Sequence, residues 1–149
     1  MLALVAAACT WGEEGAIRAR LKALAQEANK PPAEGLALVT HAAAVGGYFS
    51  GDAVVDLGPG SAPLQGRETL IGMVARLQPR LAAYRLELED VEVHVSEDKG
   101  SAGVSLTLRT IPRRPGSSEG PDAREFALEM RKEDGEWRIA RATAVQTLR

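Results

Sequence analysis

The stretch Tyr48-Phe49-Ser50-Gly51-Asp52-Ala53-Val54-Val55-Asp56-Leu57-Gly58, followed by Pro63-Leu64-Gln65-Gly66-Arg67-Glu68, carries the clearest structural signals in this chain. Its first part joins the end of a predicted helix to a short apolar strand, Ala53–Leu57, which is bounded by turn-forming residues. A loop rich in glycine and proline follows, and another helix is predicted to begin at Arg67. The segment therefore predicts a helix, a buried strand, a loop and a helix in succession.

Two helices are predicted up to this segment. The first is Glu13–Ala28, which ends before a pair of prolines that cannot continue an interior turn. It is identified by apolar residues at helical spacing, which are Ile17, Leu21, Leu24 and Ala28. The second predicted helix, Ala33–Phe49, places His41 and Tyr48 on its apolar side.

A third helix, Arg67–Gln78, is predicted on the other side of the loop. Pro79 is expected to end it, because proline lacks the amide hydrogen that an interior turn needs. Its predicted inward stripe consists of Leu70, Met73, Val74 and Leu77.

The remainder of the chain alternates apolar and polar residues with the period of two that is typical of strands. Four strands are predicted, with their apolar positions in residues 86–95, 104–108, 126–130 and 137–147. The alternation changes parity near Glu89 and Asp90. One extra residue resets the period, so a β-bulge is predicted there. Asp134-Gly135 predicts a tight hairpin turn.

Three helices followed by mainly antiparallel strands, each apolar on one face, predict an α+β fold. The apolar face of such a sheet must be buried, so we expect the sheet to curl over the helices. A chain of 149 residues is long enough for one domain with a substantial core.

This order of elements, ending in Gly135-Glu136-Trp137-Arg138-Ile139, resembles the nuclear transport factor 2-like superfamily. That superfamily includes ketosteroid isomerases and SnoaL-like polyketide cyclases, and the resemblance covers roughly residues 17–147. It implies a cystatin-like cone, in which three N-terminal helices pack inside a strongly curved sheet. It also implies a ligand pocket between the sheet and the helices. Fold alone does not establish function, because the superfamily contains both enzymes and binding domains.

Composition excludes several functions. The net charge of -2 and the lack of a basic stripe with interleaved aromatic residues argue against nucleic-acid binding. A single cysteine, Cys9, excludes internal disulfides and any zinc site built from cysteines. The two histidines are expected on opposite faces, with His41 inward and His94 outward, so we predict no metal site and no cofactor.

Cys9 follows a run of small apolar residues, Leu2–Ala8, which resembles the end of a bacterial lipoprotein signal. This reading divides the chain into a truncated signal and tether at residues 1–12 and a domain at residues 13–149. It predicts lipidation of Cys9 and a location in the bacterial envelope or periplasm, with membrane contact only through the lipid. Alternatively, Leu2–Ala8 is the first part of an ordinary helix, Cys9 is a small buried residue, and the protein is cytoplasmic.

The resemblance to ketosteroid isomerases also implies which catalytic groups are missing. Aligned without a gap, their general base falls on Leu57, and the acid that donates to their oxyanion falls near Leu128. The tyrosine of their first helix has no counterpart here. Asp56 is adjacent to the base position, but a shift of one residue in a strand turns a side chain to the other face. We therefore expect no isomerase chemistry of that type.

The leading prediction is a non-catalytic, envelope-associated domain whose largely apolar cone binds a small hydrophobic molecule or stays filled by its own side chains. Its predicted ligand-binding residues are His41, Tyr48, Leu57, Met73 and Leu128. The alternative is an isomerase, cyclase or dehydratase with an atypical site around His41, Tyr48 and Asp56. A third prediction is a homodimeric module that pairs through the outer face of the sheet. That face is expected to carry Ser105, Thr107, Arg109, Glu125, Glu129, Arg131 and Arg138.

Overall fold

The computed structural model describes residues 2–31, 34–114 and 122–145. These residues form three helices and one six-stranded sheet, so the predicted α+β class is confirmed. The helices are α1 (Leu2–Ala28), α2 (Leu36–Gly46) and α3 (Arg67–Leu81). The strands are β1 (Phe49–Asp56), β2 (Leu64–Gln65), β3 (Tyr84–Val95), β4 (Ser101–Pro112), β5 (Asp122–Glu133) and β6 (Glu136–Ala144). Within these residues, no helix has the length and apolar character needed to cross a membrane.

The strands lie in the order β2-β1-β6-β5-β4-β3, and all neighbours are antiparallel except β1 and β6. The four long strands β3 to β6 are those that the alternation predicts. β2 is too short for its periodicity to be recognised in sequence. Asp134 and Gly135 both have positive φ in the turn between β5 and β6, which confirms the predicted hairpin.

The predicted β-bulge lies in β3. Glu89 pairs with Thr107 and Glu92 pairs with Ser105, so two residues of β3 face one residue of β4. Asp90 takes the extra position with a φ of 51°. The bulge brings the apolar residues on both sides of it to one face, and it also bends the strand. Curvature at this position helps the sheet to wrap around the helices.

The core lies where α1 crosses the inner face of the sheet. Ile17 and Leu21 of α1 are 0% and 2% exposed and pack against Met130, Trp137 and Ile139. The predicted inward residues of the last three strands are therefore confirmed. Side chains of this size, fully removed from water, contribute about 1.5–3 kcal/mol each to folding.

Polar contacts hold α1 in this position. One carboxylate oxygen of Glu13 accepts a hydrogen bond from Trp137 Nε1 at 2.8 Å, and the other lies 2.8 Å from Lys132 Nζ. One turn further along the helix from Ile17, Arg20 Nε donates to the Trp137 carbonyl oxygen at 3.0 Å. The first strand of the β5–β6 hairpin and the start of the second are thus both joined to one side of α1.

Several predicted boundaries were wrong. α1 begins at Leu2 instead of Glu13. The division into signal and domain, and the lipidation of Cys9, stay predictions. β1 begins at Phe49 instead of Ala53, because the Ile139 amide donates to the Tyr48 carbonyl and starts the pairing with β6 earlier.

The two later helices also differ from their predicted lengths. α3 continues through Pro79 to Leu81, because the Ala82 amide still donates to the Gln78 carbonyl and closes the last turn. α2 ends at Gly46 rather than at Phe49. A Cβ added at Gly46 would lie 2.4 Å from Ile71 Cγ1, so glycine allows α2 to approach α3 closely.

We predict that Glu13 makes the stability of the fold depend on acidic pH. The hydrogen bond from Lys132, followed by that from Trp137, holds the pKa of Glu13 below its ordinary value. Because the folded pKa is lowered, this stabilisation is present above the unfolded pKa and is lost as the pH falls through the folded pKa. In urea unfolding at pH 7 and pH 3, the Glu13→Gln variant should lose less stability between the two pH values than wild type.

The control for this prediction is Glu14→Gln, which removes the neighbouring carboxylate. Glu14 pairs with Arg18 on the exposed side of α1, and such pairs contribute only about 0–1 kcal/mol. The stability of the Glu14→Gln variant should therefore depend on pH in the same way as the stability of wild type. Equal pH dependence in the Glu13→Gln and wild-type proteins would contradict a stabilising role for the Glu13 carboxylate.

Candidate functional site

A cavity of about 310 Å³ lies between the inner face of the sheet and all three helices. It is next to the packed region around Ile17, toward the C-terminal end of α1. Apolar side chains make up nearly all of its wall. They come from α1 and α2 (Leu21, Leu24, Ala25, Ala28, Val45), from β1 and the residue after it (Phe49, Val55, Leu57), from α3 and its end (Val74, Leu81, Ala82) and from the other strands (Leu86, Leu88, Leu106, Leu108, Phe126, Leu128, Ile139, Ala142).

Small residues explain why this part of the cone is not filled. Along α1 the cavity wall begins with Leu21 and Leu24 and continues with the short side chains of Ala25 and Ala28. Across the cavity, Ala142 of β6 also contributes only a methyl group. Where the side chains of a helix are short and its distance from the sheet stays the same, space is left between the helix and the sheet. Protein interiors are close-packed and contain few spaces of this size.

His41 is one of three polar residues on the described wall, with Lys30 and Gln78. It is 8% exposed, and its Nδ1 lies 3.7 Å from a carboxylate oxygen of Glu27, which is too far for a hydrogen bond. The other carboxylate oxygen of Glu27 lies 2.6 Å from Lys30 Nζ. His41 also borders a surface groove beside Leu36. It therefore lies between the cavity and the outer surface, next to a carboxylate.

Gln78 was not recognised as a site residue from the sequence. Its side chain is 4% exposed and lines the cavity, and it has no hydrogen bond within the described parts of the chain. The predicted third helix ended at Gln78, and the apolar pattern gave this residue no role. The available signal was its position four residues after Val74, which puts both residues on one helical face.

Three of the five predicted ligand-binding residues lie on the cavity wall: His41, Leu57 and Leu128. Leu57 is 37% exposed, so it lies near the opening, whereas Leu128 is buried. Leu57 and Leu128, the residues at or near which the resemblance predicts the carboxylates of ketosteroid isomerases, thus line the same cavity. Ligand binding by these residues stays a prediction.

Tyr48 and Met73 do not lie on this wall. The prediction for Tyr48 assumed that α2 continued past it, which would place it on the same side as His41. Because α2 ends at Gly46, that relation is lost, and the guanidinium of Arg20 lies 4.1 Å from the centre of the Tyr48 ring instead. Met73 precedes Val74, and one residue rotates a helical side chain by about 100°, away from the face that lines the cavity.

Asp56 and His94 point away from the cavity. Asp56 Oδ1 accepts a hydrogen bond from the Gly58 amide at 3.0 Å, as expected for an aspartate that stabilises a turn. Val55 and Leu57 on either side of it line the cavity, so the predicted opposite orientation holds. His94 is exposed on the outer face. In the described ranges, no three histidine, cysteine, aspartate or glutamate side chains are grouped so that they could bind a metal.

Comparison with known proteins agrees with this architecture. The family model for the SnoaL-like domain matches residues 40–143. No curated protein gives a significant sequence match.

Among solved structures, an NTF2-like protein with a cystatin-like fold from Novosphingobium aromaticivorans is 17% identical, with a TM-score of 0.72 over 97% of this chain and 88% of that one. A candidate scytalone dehydratase from the same organism is 15% identical, with a TM-score of 0.71 over 93% of this chain and 87% of that one. A Catenulispora acidiphila protein in complex with S-DNPA is 13% identical, with a TM-score of 0.66 over 88% and 90% of the two chains. At these identities the similarity establishes the cone fold.

We predict that the cavity tolerates a larger side chain from its own wall. In Ala142→Leu the added carbon atoms can occupy the cavity, so the free energy of unfolding should fall by less than about 1 kcal/mol. Ala102→Leu is the matched control, because Ala102 is equally buried in the core but does not line the cavity. At Ala102 the change to leucine should lower the free energy of unfolding by about 1–3 kcal/mol, as is usual when a side chain is enlarged in a filled core. Equal costs in urea unfolding would mean that the cavity is not open space.

Proposed function

This chain belongs to the SnoaL-like domain family, and from that premise we propose that its cone binds a small, largely apolar molecule. The observation that carries the proposal is the cavity of about 310 Å³ whose described wall is apolar except for three side chains. Apolar walls with a few placed polar groups are the usual composition of small-molecule sites, and this volume is at the lower end of their range.

The proposed role is binding rather than acid–base catalysis of the isomerase type. The resemblance to ketosteroid isomerases puts their base on Leu57 and their acid near Leu128, and both leucines line the cavity. A general acid or base contributes roughly 10²–10⁴-fold to a rate. We therefore expect no appreciable steroid isomerisation by this protein.

The binding proposal is tested with cumene, an apolar single-ring molecule, by titration calorimetry and by thermal unfolding. We expect saturable binding to the wild type and a rise in melting temperature, since a ligand at 100 times its Kd stabilises the folded state by about 2.7 kcal/mol. Ala142→Leu should bind more weakly because its side chain occupies the same space. Binding that is undetectable in wild type, or unchanged in Ala142→Leu, would contradict the proposal.

We also propose that the domain is attached to the bacterial envelope through a lipid at Cys9. The support is the short apolar run before this cysteine, which resembles a lipoprotein signal. Expressed in a bacterial host with the upstream reading frame included, the protein should partition into detergent, and Cys9→Ser should remain in the aqueous phase. Identical partitioning of the two proteins would exclude lipidation at Cys9.

Association of two copies through the outer sheet face is the third part of the proposal. Charged residues of both signs lie there, and some already pair within the chain: Arg131 with Asp52 at 2.9 Å and Arg109 with Glu89 at 3.1 Å. Side chains of this kind can exchange partners across a two-fold axis, where each contact occurs twice. The mass in solution, measured by analytical ultracentrifugation, decides between a monomer and a dimer.

One observation favours an enzyme as the second candidate function. A carboxylate oxygen of Glu27 lies 3.7 Å from Nδ1 of the cavity residue His41, and a carboxylate next to a histidine is a common arrangement in general-base sites. The other residues of the predicted enzyme site, Tyr48 and Asp56, do not reach this cavity. Turnover of an isomerase, cyclase or dehydratase substrate that is lost in both His41→Ala and Glu27→Gln would favour this function.

A further inference from the structure

Gln78 lines the cavity and is 4% exposed. No hydrogen bond joins its amide to another of the described residues, and the amide is not among their fully buried polar atoms without a partner, which are Ser50 Oγ and Arg138 Nε. The Gln78 amide therefore keeps some accessible surface. A polar group that enters the cavity can form a hydrogen bond with it, which would replace the one that the amide makes with water.

The chemistry of the surrounding wall limits what that partner can be. Lys30 is the one cationic side chain on the described wall, but it is 60% exposed and its Nζ lies 2.6 Å from Glu27. A carboxylate or phosphate deep in the cavity would have no buried cation beside it, and an unpaired buried charge is strongly disfavoured. An amide, in contrast, can donate to a carbonyl oxygen or accept from a hydroxyl group.

The volume limits the size of the partner. One water-sized group occupies about 30 Å³ in a liquid, so 310 Å³ holds roughly ten non-hydrogen atoms. This corresponds to a single substituted ring. A four-ring steroid has about twice as many atoms and would not be enclosed.

We propose that the ligand is an uncharged molecule the size of one substituted ring, with a carbonyl or hydroxyl group hydrogen-bonded to the Gln78 side chain. The proposal rests on the binding function proposed above and adds the chemical class of the ligand. His41 is the second polar residue near this group, but it already has Glu27 beside it, whereas Gln78 has no described partner. Gln78 is therefore the residue that selects the polar group.

The test compares three probes of similar size on the full chain by titration calorimetry: acetophenone, cumene and benzoate. Acetophenone has the carbonyl group, cumene replaces it with carbon and benzoate carries a charge. We expect wild type to bind acetophenone at least as tightly as cumene, and benzoate at least tenfold more weakly than acetophenone. In Gln78→Met, which has a similar length and no amide, the preference for acetophenone over cumene should fall by about five- to tenfold, equivalent to one hydrogen bond.

Two controls separate ligand selection from a structural role. Gln65→Met makes the same change at an exposed position of β2 and should leave both affinities unchanged. Without ligand, Gln78→Met should melt at the same temperature as wild type or higher, because no hydrogen bond between the amide and another described residue is lost. A lower melting temperature would show that the amide already has a structural partner, and it would overturn the proposal.

The outcomes distinguish this inference from the binding function itself. If wild type binds cumene but prefers it to acetophenone, or binds benzoate as tightly as acetophenone, the ligand class is wrong and binding stands. The same conclusion follows if the preference is unchanged in Gln78→Met. If none of the probes binds wild type, both proposals fail. The wild-type comparison decides the question even if Gln78→Met does not fold.

Discussion

The burial of Ile17 and Leu21 against the inner face of the sheet is the contact on which the other features depend. These side chains are almost fully removed from water and join α1 to Met130, Trp137 and Ile139. The contact sets the distance between helix and sheet. Further along α1, the short side chains of Ala25 and Ala28 fill less of that distance, and they line the cavity together with Leu21 and Leu24.

The same contact explains the polar groups that surround it. Glu13 and Arg20, on either side of Ile17, bind the indole nitrogen and the carbonyl oxygen of Trp137. Their hydrogen bonds join α1 to the β5–β6 hairpin, and burial of the apolar side chains between them strengthens these bonds by excluding water. The bulge at Asp90 bends β3, the edge strand at the other end of the sheet order from β2, and apolar residues on both sides of the bulge pack against the core.

The candidate site differs from a catalytic cone in where its polar groups lie. The wall residues contributed by the sheet and by Leu57 after β1 are apolar, whereas the polar side chains on the described wall come from the helices and the end of α1. Two of them, His41 and Lys30, adjoin Glu27 near the surface. Gln78, the third, is 4% exposed, and no hydrogen bond joins its side chain to another described residue. Such a wall favours recognition of one polar group on an apolar molecule over proton transfer between two carboxylates.

The sequence by itself determined the order of helices and strands, the bulge near Glu89, the inward orientation of Leu128 and Ile139, and the opposite orientation of Asp56. These features follow from periodicity and turn chemistry, which act over a few residues. Only the tertiary structure decided that α2 ends at Gly46, which removes Tyr48 from the cavity, and that the inner face of α3 passes through Gln78 instead of Met73. The parallel pairing of β1 with β6 and the size of the cavity also belong to this second group. They depend on contacts between residues far apart in the chain, and local patterns do not record which distant residues meet or how much space remains between them.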